Sequence, residues 1–171
     1  MNMIRRTLII ITTLATLTIY SQGSYESAYS RYTKGDITGA VSEITKDIFN
    51  GIRDPRSYLL IIKIYKDNIK DYKQGVEYAI EGIRLFPERE KEFLLELGEL
   101  YYLQQKYQSA EEILRTFNSK FPGDGKCLLL LGKVFYSQGK FYKAVASLEA
   151  SISFGEKSLE VYEYLGKSLR K

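Results

Sequence analysis

The side chains that most often carry out chemistry are scarce in this sequence. It contains no histidine and a single cysteine, Cys127. Histidine is the commonest general base and metal ligand, and one cysteine cannot form an intrachain disulfide or a cysteine-rich zinc site. Most familiar active sites are therefore excluded, and an enzyme would have to work with carboxylates or tyrosines alone.

The other candidates for a chemical site fit surfaces and turns better than catalysis. Glu111 and Glu112 are typical of a solvated helix face, and no base or metal ligand is spaced to pair with them. Cys127 fits a small buried apolar residue better than a redox site. The segment GDGK, 123–126, lacks the longer glycine-rich run and the Ser or Thr after lysine of a phosphate-binding loop, so it indicates a turn. We predict no enzymatic activity, no metal and no cofactor.

The charge balance argues against a nucleic-acid partner. The formal net charge is +4, and Arg5 and Arg6 belong to a separate N-terminal segment. The rest of the chain has 23 basic and 21 acidic residues, a net charge of +2. Nucleic-acid surfaces need clustered positive charge, so we predict no such partner.

Residues 1–23 have the three-part form of a secretory signal peptide. Arg5 and Arg6 precede an uncharged apolar and threonine-rich run, 7–20, and Ser21 and Gly23 are small residues before a cut at Ser24. The run of about 14 residues is shorter than the roughly 20 that span a bilayer. We predict cleavage, with an uncleaved N-terminal anchor as the alternative that would bring membrane contact. Either way the body of the protein lies outside the cytoplasm, in the periplasm if the source has two membranes.

A Leu-Gly dipeptide recurs every 34 residues along the chain. It stands at 97–98, 131–132 and 165–166. In the first two copies an aromatic residue follows three residues after the glycine, an alanine twelve after it and a leucine sixteen after it; these are Tyr101 and Phe135, Ala110 and Ala144, and Leu114 and Leu148. Internal repeats at such a period are the signature of solenoid proteins. An irregular four-helix bundle would not produce this repeated spacing.

The pattern resembles the tetratricopeptide repeat family, whose 34-residue unit carries Leu-Gly, an aromatic residue, alanine and a closing proline at these places. Pro122 closes the unit 91–124, while Glu156 replaces the proline in the unit 125–158. The resemblance implies an all-α, right-handed superhelical array of helix-turn-helix repeats with a C-terminal capping helix. It divides the chain into a divergent first repeat (24–55), a second (56–90), a third (91–124), a fourth (125–158) and a capping helix (159–171). In the second repeat Lys63 and Lys66 stand where glycine and tyrosine belong.

Small residues are expected to let the helices approach one another closely. Gly98 costs about 1 kcal/mol against alanine inside a helix, and closer packing offsets that cost. The residues predicted to pack the repeats are Leu97, Gly98, Tyr101, Ala110, Pro122, Leu131, Gly132, Phe135, Ala144, Leu165 and Gly166. Gly166 is expected to bring the last helix close to the preceding helix pair. The charged and polar residues of that helix then form a solvating cap, so we expect no binding surface at this end.

The resemblance also implies a concave groove lined by the first helix of each repeat. Carried over by place, the predicted partner-binding residues are Tyr25, Tyr29, Tyr32, Leu60, Ile64, Leu95, Glu99, Tyr102, Leu129, Lys133 and Tyr136. The Lys and Asn that grip a C-terminal carboxylate in chaperone-binding members are missing from those places. Aromatic side chains with a polar tip are favoured at recognition surfaces. The alternative is that the leucines of this set pack against neighbouring first helices and the tyrosines lie on a wetted surface.

These features predict a protein–protein interaction adaptor of the cell envelope. Its groove would bind an apolar helix or extended segment of another exported or membrane-associated protein. The alternative is a self-associating structural subunit of an envelope complex, of the kind that assists outer-membrane assembly or envelope growth. The partner itself is not named by the sequence.

Overall fold

The computed structural model describes residues 25–171, and that part of the chain is helical with no strand. Its helices are α1 (25–33), α2 (Ile37–Phe49), α3 (Pro55–Ile64), α4 (Tyr72–Leu85), α5 (Glu90–Leu103), α6 (Tyr107–Lys120), α7 (Gly125–Ser137), α8 (Phe141–Ser153) and α9 (Leu159–Leu169). A π-helix (Tyr65–Ile69) follows α3, and a 3-10 helix (Pro87–Arg89) precedes α5. The predicted signal peptide, 1–23, lies outside the described residues. None of the helices within 25–171 combines the length and apolar character that crossing a bilayer requires.

The chain divides into two compact units. The described part of the first ends at Ile69 and holds α1 to α3, and the second, Lys70–Lys171, holds α4 to α9. The division falls inside the predicted second repeat, 56–90. It follows the π-helix, which contains Lys66 at the place where the repeat pattern has tyrosine. The sequence departs from the pattern where the α-helical geometry itself changes.

Residues with a left-handed backbone conformation recur at close to the repeat period, and each lies in a turn. The φ angle is +84° at Gly35, +63° at Lys70, +60° at Gln105 and +73° at Gly139. Glycine adopts this conformation without steric cost and commonly follows the end of a helix. Gly139 follows the end of α7 in this way, and the same turn appears in the divergent first repeat, at Gly35.

Both glycines of the complete Leu-Gly repeats, Gly98 and Gly132, lie against leucines. A methyl group at Gly98 would be 2.6 Å from Cδ2 of Leu114, and one at Gly132 would be 2.5 Å from Cγ of Leu148. Each leucine belongs to the second helix of the same repeat, α6 or α8. Of the other predicted packing residues, five are buried and Tyr101 is half-buried against the same core; the five are Leu97, Ala110, Leu131, Phe135 and Ala144.

Two of the predicted packing residues are not packed in this way. A methyl group at Gly166 would meet nothing within 4 Å, so the interpretation of this glycine as a close-contact residue is wrong. In the complete repeats the glycine contacts its own second helix, and among the described residues no second helix follows α9. Pro122 is exposed and follows the C-cap of α6, Phe121, so it ends a helix rather than packing one.

The outer face of α9 is more apolar than a solvating cap would be. Val161 and Ser168 are the buried residues of this helix, and Leu165 is half-buried against the core. Leu159 and Leu169 are 83% and 66% exposed. The prediction that charged and polar residues cover the remaining surface of α9 is therefore wrong.

Glu111 ties α6 to the start of α8. The prediction that it lies on a solvated helix face is wrong, because its side chain is buried against Lys140 and Arg115. Its buried carboxylate accepts hydrogen bonds from Arg115 Nε and Lys140 Nζ, both at 2.9 Å. Burial alone raises the pKa of this carboxyl group, but the hydrogen bonds from Lys140 and Arg115 outweigh it and lower the pKa to about 2. Lys140 is the N-cap residue of α8, where the helix dipole disfavours a cation, so the carboxylate also offsets that cost.

The stabilisation supplied by Glu111 should disappear in acid. Because the pKa in the folded protein, about 2, lies below the ordinary value of 4.5, this stabilisation is present above pH 4.5 and is lost as the pH falls towards 2. Glu111→Gln is expected to lower the free energy of unfolding by about 2 kcal/mol near neutral pH, allowing for solvent screening of the partly exposed Lys140 and Arg115. The measurement is urea denaturation of both proteins across this pH range. A difference that stays constant down to about pH 2 would contradict the assignment.

Candidate interaction surface

Three tyrosines form a row on α1. Tyr25, Tyr29 and Tyr32 lie on one face, and their ring centroids are 5.8 Å apart for the first pair and 6.4 Å apart for the second. Tyr29 is 44% exposed. The guanidinium of Arg56 lies 4.3 Å from the ring centroid of Tyr25, which anchors one end of the row. This tyrosine row presents aromatic surface and hydroxyl groups together on a first helix.

Arg56 is itself held in position by two carboxylates. Its Nη2 donates to Asp54 at 2.7 Å and its Nη1 donates to Glu26 at 3.2 Å. Burial raises the pKa of the Tyr25 hydroxyl, although Arg56 opposes this. The hydroxyl is therefore protonated near neutral pH and can donate a hydrogen bond.

The predicted groove residues of α3 are not available to a partner. Leu60 and Ile64 are buried within the folded chain. The segment 57–65 is apolar on nearly every side, a pattern that predicts a partner supplying part of its cover. The structure supplies that cover within the chain, so the assignment of Leu60 and Ile64 to a binding groove is wrong.

In the second unit the structure separates accessible groove residues from buried ones. Leu95, Glu99, Tyr102 and Tyr136 are half-buried and retain accessible surface. Leu129 and Lys133 on α7 are buried. The assignment of Leu129 and Lys133 as open groove residues is therefore wrong, and the accessible part of this face is chiefly tyrosine.

Tyr102 and Tyr164 flank the ammonium group of Lys133, and Tyr136 packs on Tyr164. We call these three tyrosines the tyrosine cluster. The hydroxyl oxygens of Tyr102 and Tyr164 are 3.0 Å apart, and the rings of Tyr136 and Tyr164 meet edge to face at 5.6 Å. Lys133 Nζ lies 5.0 Å from the ring centroid of Tyr102 and 5.7 Å from that of Tyr164. Sequence reasoning predicted Tyr102, Lys133 and Tyr136 but did not predict their contact with Tyr164.

A carboxylate from the last helix balances the charge of Lys133. Glu160 Oε1 lies 2.6 Å from Lys133 Nζ. Burial, with the hydrogen bond to Tyr102, raises the pKa of the Tyr164 hydroxyl. Glu160 is the second residue of the predicted capping helix, 159–171. In the repeat family the second place of a first helix lines the groove, so this position could have identified Glu160 from the sequence.

The structure supports the non-chemical interpretations of Cys127 and GDGK. The Cys127 thiol is fully buried and donates to the carbonyl oxygen of Leu114 at 3.4 Å, and burial raises its pKa to about 12. Asp124 caps α7 by accepting a hydrogen bond from the Cys127 amide at 3.0 Å. This amide is therefore satisfied by the loop's own carboxylate. In residues 25–171 no three Cys, Asp or Glu side chains are grouped to hold a metal.

Comparison with known proteins points to one family. The model of the tetratricopeptide repeat family matches residues 92–124. A crystal structure of MamA has a TM-score of 0.76 and 21% sequence identity, over 88% of this chain and 81% of that chain. MamA from Desulfovibrio magneticus RS-1, from position 41 to its end, has a TM-score of 0.75 and 15% identity, over 88% and 84%. TTC0263, a thermophilic TPR protein in Thermus thermophilus, has a TM-score of 0.68 and 17% identity, over 88% and 82%. No curated protein sequence gives a significant match.

Helix pairs at a constant period, with accessible side chains on their first helices, define an α-helical repeat protein. Proteins of this class present a surface to other proteins, and neighbouring repeats carry the stability. Residues 92–124 match the tetratricopeptide repeat model, and the chain shares its fold with solved tetratricopeptide repeat structures. The predicted fold class, an all-α array of these repeats, is confirmed.

Proposed function

We propose that this chain is a non-catalytic interaction adaptor of the cell envelope, which binds an extended segment of another protein through tyrosines of its first helices. The observation that carries the proposal is the separation of accessible from buried groove residues. In the first unit the tyrosine row keeps accessible surface while Leu60 and Ile64 are buried. In the second unit Tyr102 and Tyr136 keep accessible surface while Leu129 is buried.

The chemistry of this surface favours an extended segment over an apolar helix. An apolar helix needs a groove lined by aliphatic side chains, and most of the predicted aliphatic residues are used inside the fold. Tyrosine offers an apolar ring together with a hydroxyl that can bond to the free backbone groups of an extended chain. Lys133 is neutralised by Glu160, so the tyrosine cluster has no unbalanced charge that would require an acidic partner.

The proposed location outside the cytoplasm rests on the N-terminal sequence. The arginine pair, the apolar run and the small residues before Ser24 favour export and cleavage. The partner is then itself exported or membrane-associated. N-terminal sequencing of protein from an exporting host tests the cleavage, and an intact Met1 would contradict it.

Site-specific photo-crosslinking in the native cell tests the binding surface. A crosslinking amino acid placed at Tyr102 or Tyr136 is expected to give the same protein adduct from both positions, because both residues lie on first helices of the second unit and keep accessible surface. The matched control is Phe49, an aromatic residue on α2 that is 90% exposed. Adducts of equal yield from Phe49 would refute the proposed surface.

A further inference from the structure

A cleft of about 460 Å³ lies between the second helices α6 and α8, with α7 as its floor. The floor is one face of α7, formed by Leu128, Leu131 and Phe135. The walls carry amide and hydroxyl side chains, from Asn118, Ser119 and Ser147. Among the residues within 25–171 that line the cleft, none is an aspartate or glutamate and none is a tyrosine. The cleft is therefore separate from the proposed tyrosine surface on the first helices.

Three cationic side chains converge on the ring of Phe135; we call Arg115, Lys140 and Lys143 the cation cluster. Arg115 Cζ lies 5.6 Å from the ring centroid, and the Nζ atoms of Lys140 and Lys143 each lie 5.9 Å from it. The face of an aromatic ring attracts each cation, but the cations repel one another. Arg115 and Lys143 both line the cleft, so this repulsion acts at its edge.

A single carboxylate balances part of the cation cluster. Glu111 forms ion pairs with Arg115 and Lys140, whereas no carboxylate of residues 25–171 pairs with Lys143. Arg115 donates to Glu111 through Nε, so its two terminal nitrogens remain for another acceptor. The cation cluster and Glu111 together carry a net charge of +2.

The position of two of these cations on α8 adds to the positive potential. Lys140 is the N-cap residue of α8 and Lys143 lies in its first turn, which contains no acidic residue. The helix dipole places partial positive charge at this end, where it disfavours cations. The chain therefore holds an excess of positive charge beside an apolar cleft, and a bound anionic group would relieve it.

We propose that this cleft binds an acidic segment of a protein partner, with a carboxylate between Arg115 and Lys143 and an adjacent apolar side chain on the floor. Arginine binds carboxylates through its terminal nitrogens, and clusters of cationic side chains recognise acidic motifs. The apolar floor offers no bond to a free anion, but it can cover an apolar side chain beside the carboxylate. The cleft shares no residue with the tyrosine surface, so either proposal can fail without the other.

Removing the charge of Lys143 tests the excess of positive charge without any ligand. Lys143→Gln is expected to raise the midpoint of urea denaturation at low salt, and the gain should shrink at about 1 M salt, where charges are screened beyond about 3 Å. The matched control is Lys157→Gln, an exposed lysine in the turn before α9, which should not raise the midpoint. A midpoint that Lys143→Gln leaves unchanged or lowers, or an equal gain from both variants, overturns the proposal.

Titration of the ¹⁵N-labelled full chain, after processing by an exporting host, tests the occupant by NMR. The probes are a short peptide of alternating Glu and Leu, the same peptide with Gln for Glu, and inorganic phosphate. The Glu peptide should shift the amide signals of Ser119 and Ser147 with a dissociation constant on the order of hundreds of micromolar. The Gln peptide should bind about tenfold more weakly.

The Lys143→Gln variant should bind the Glu peptide about tenfold more weakly than the wild type, and Lys157→Gln should bind it equally well. Equal affinity for the two peptides, shifts centred on Tyr102, or no binding of the Glu peptide at about 1 mM overturns the proposal. Phosphate that binds as tightly as the Glu peptide assigns the cation cluster to a free anion and also overturns it.

Discussion

Replacing Phe93 with alanine is expected to lower the free energy of unfolding by about 3–5 kcal/mol, the usual cost of deleting a buried phenylalanine side chain. Phe93 is fully buried at the start of α5. Its ring stacks on Phe86 with centroids 5.9 Å apart, and it lies directly against Gly82 of α4. The loss should be visible in urea or thermal denaturation followed by circular dichroism.

The contact between Phe93 and Gly82 gives this prediction an internal control. A methyl group at Gly82 would lie 2.5 Å from Cδ1 of Phe93, so Gly82→Ala should destabilise the wild type. In the Phe93→Ala background the ring is gone, and the same change should stabilise the protein, since it fills part of the cavity and favours the helix. The coupling between the two sites is expected to be about 1–3 kcal/mol. Equal effects of Gly82→Ala in both backgrounds would contradict the contact.

Gly132→Leu is expected to cost about 1–3 kcal/mol through overpacking. A Cβ at this position would lie 2.5 Å from Cγ of Leu148, and Leu148 is fully buried, so the leucine cannot simply turn away. The rest of the side chain must displace α8 from α7. Chemical denaturation followed by circular dichroism measures the loss.

The same substitution 34 residues later provides the control. Gly166→Leu places a side chain where nothing lies within 4 Å, so packing should not oppose it. Leucine also has a higher helix propensity than glycine, by somewhat less than about 1 kcal/mol. The variant should be as stable as the wild type or slightly more stable. Similar losses at Gly132 and Gly166 would show that the packing around these glycines is misassigned.

The contrast between these two glycines shows how far the repeat pattern extends. The glycines at both places predict a close contact between helices. At Gly132 the structure shows that close contact. At Gly166 the pattern continues, but no side chain of residues 25–171 packs against this glycine, so the predicted contact is missing. A repeated sequence pattern predicts where a residue lies within its own helix. A packing contact also requires a second helix at that position.

The predicted interaction surface also combines residues that the sequence identified with contacts that only the structure shows. Places carried over from the repeat family identified Tyr102, Lys133 and Tyr136 on first helices. They did not show that Lys133 is covered, because Glu160 and Tyr164 belong to the following repeat. The fraction of a side chain that stays accessible depends on neighbours distant in sequence, and a single-repeat pattern does not contain them.

The sequence by itself determined the helix pairs, their 34-residue period and the repeat fold. These features follow from local backbone preferences and from residues that recur at fixed intervals along one chain. Tertiary structure alone decided that Leu60, Ile64 and Leu129 are buried and that Tyr164 joins the tyrosine cluster. Burial is a property of packed helices, since a side chain leaves water only when another element excludes it.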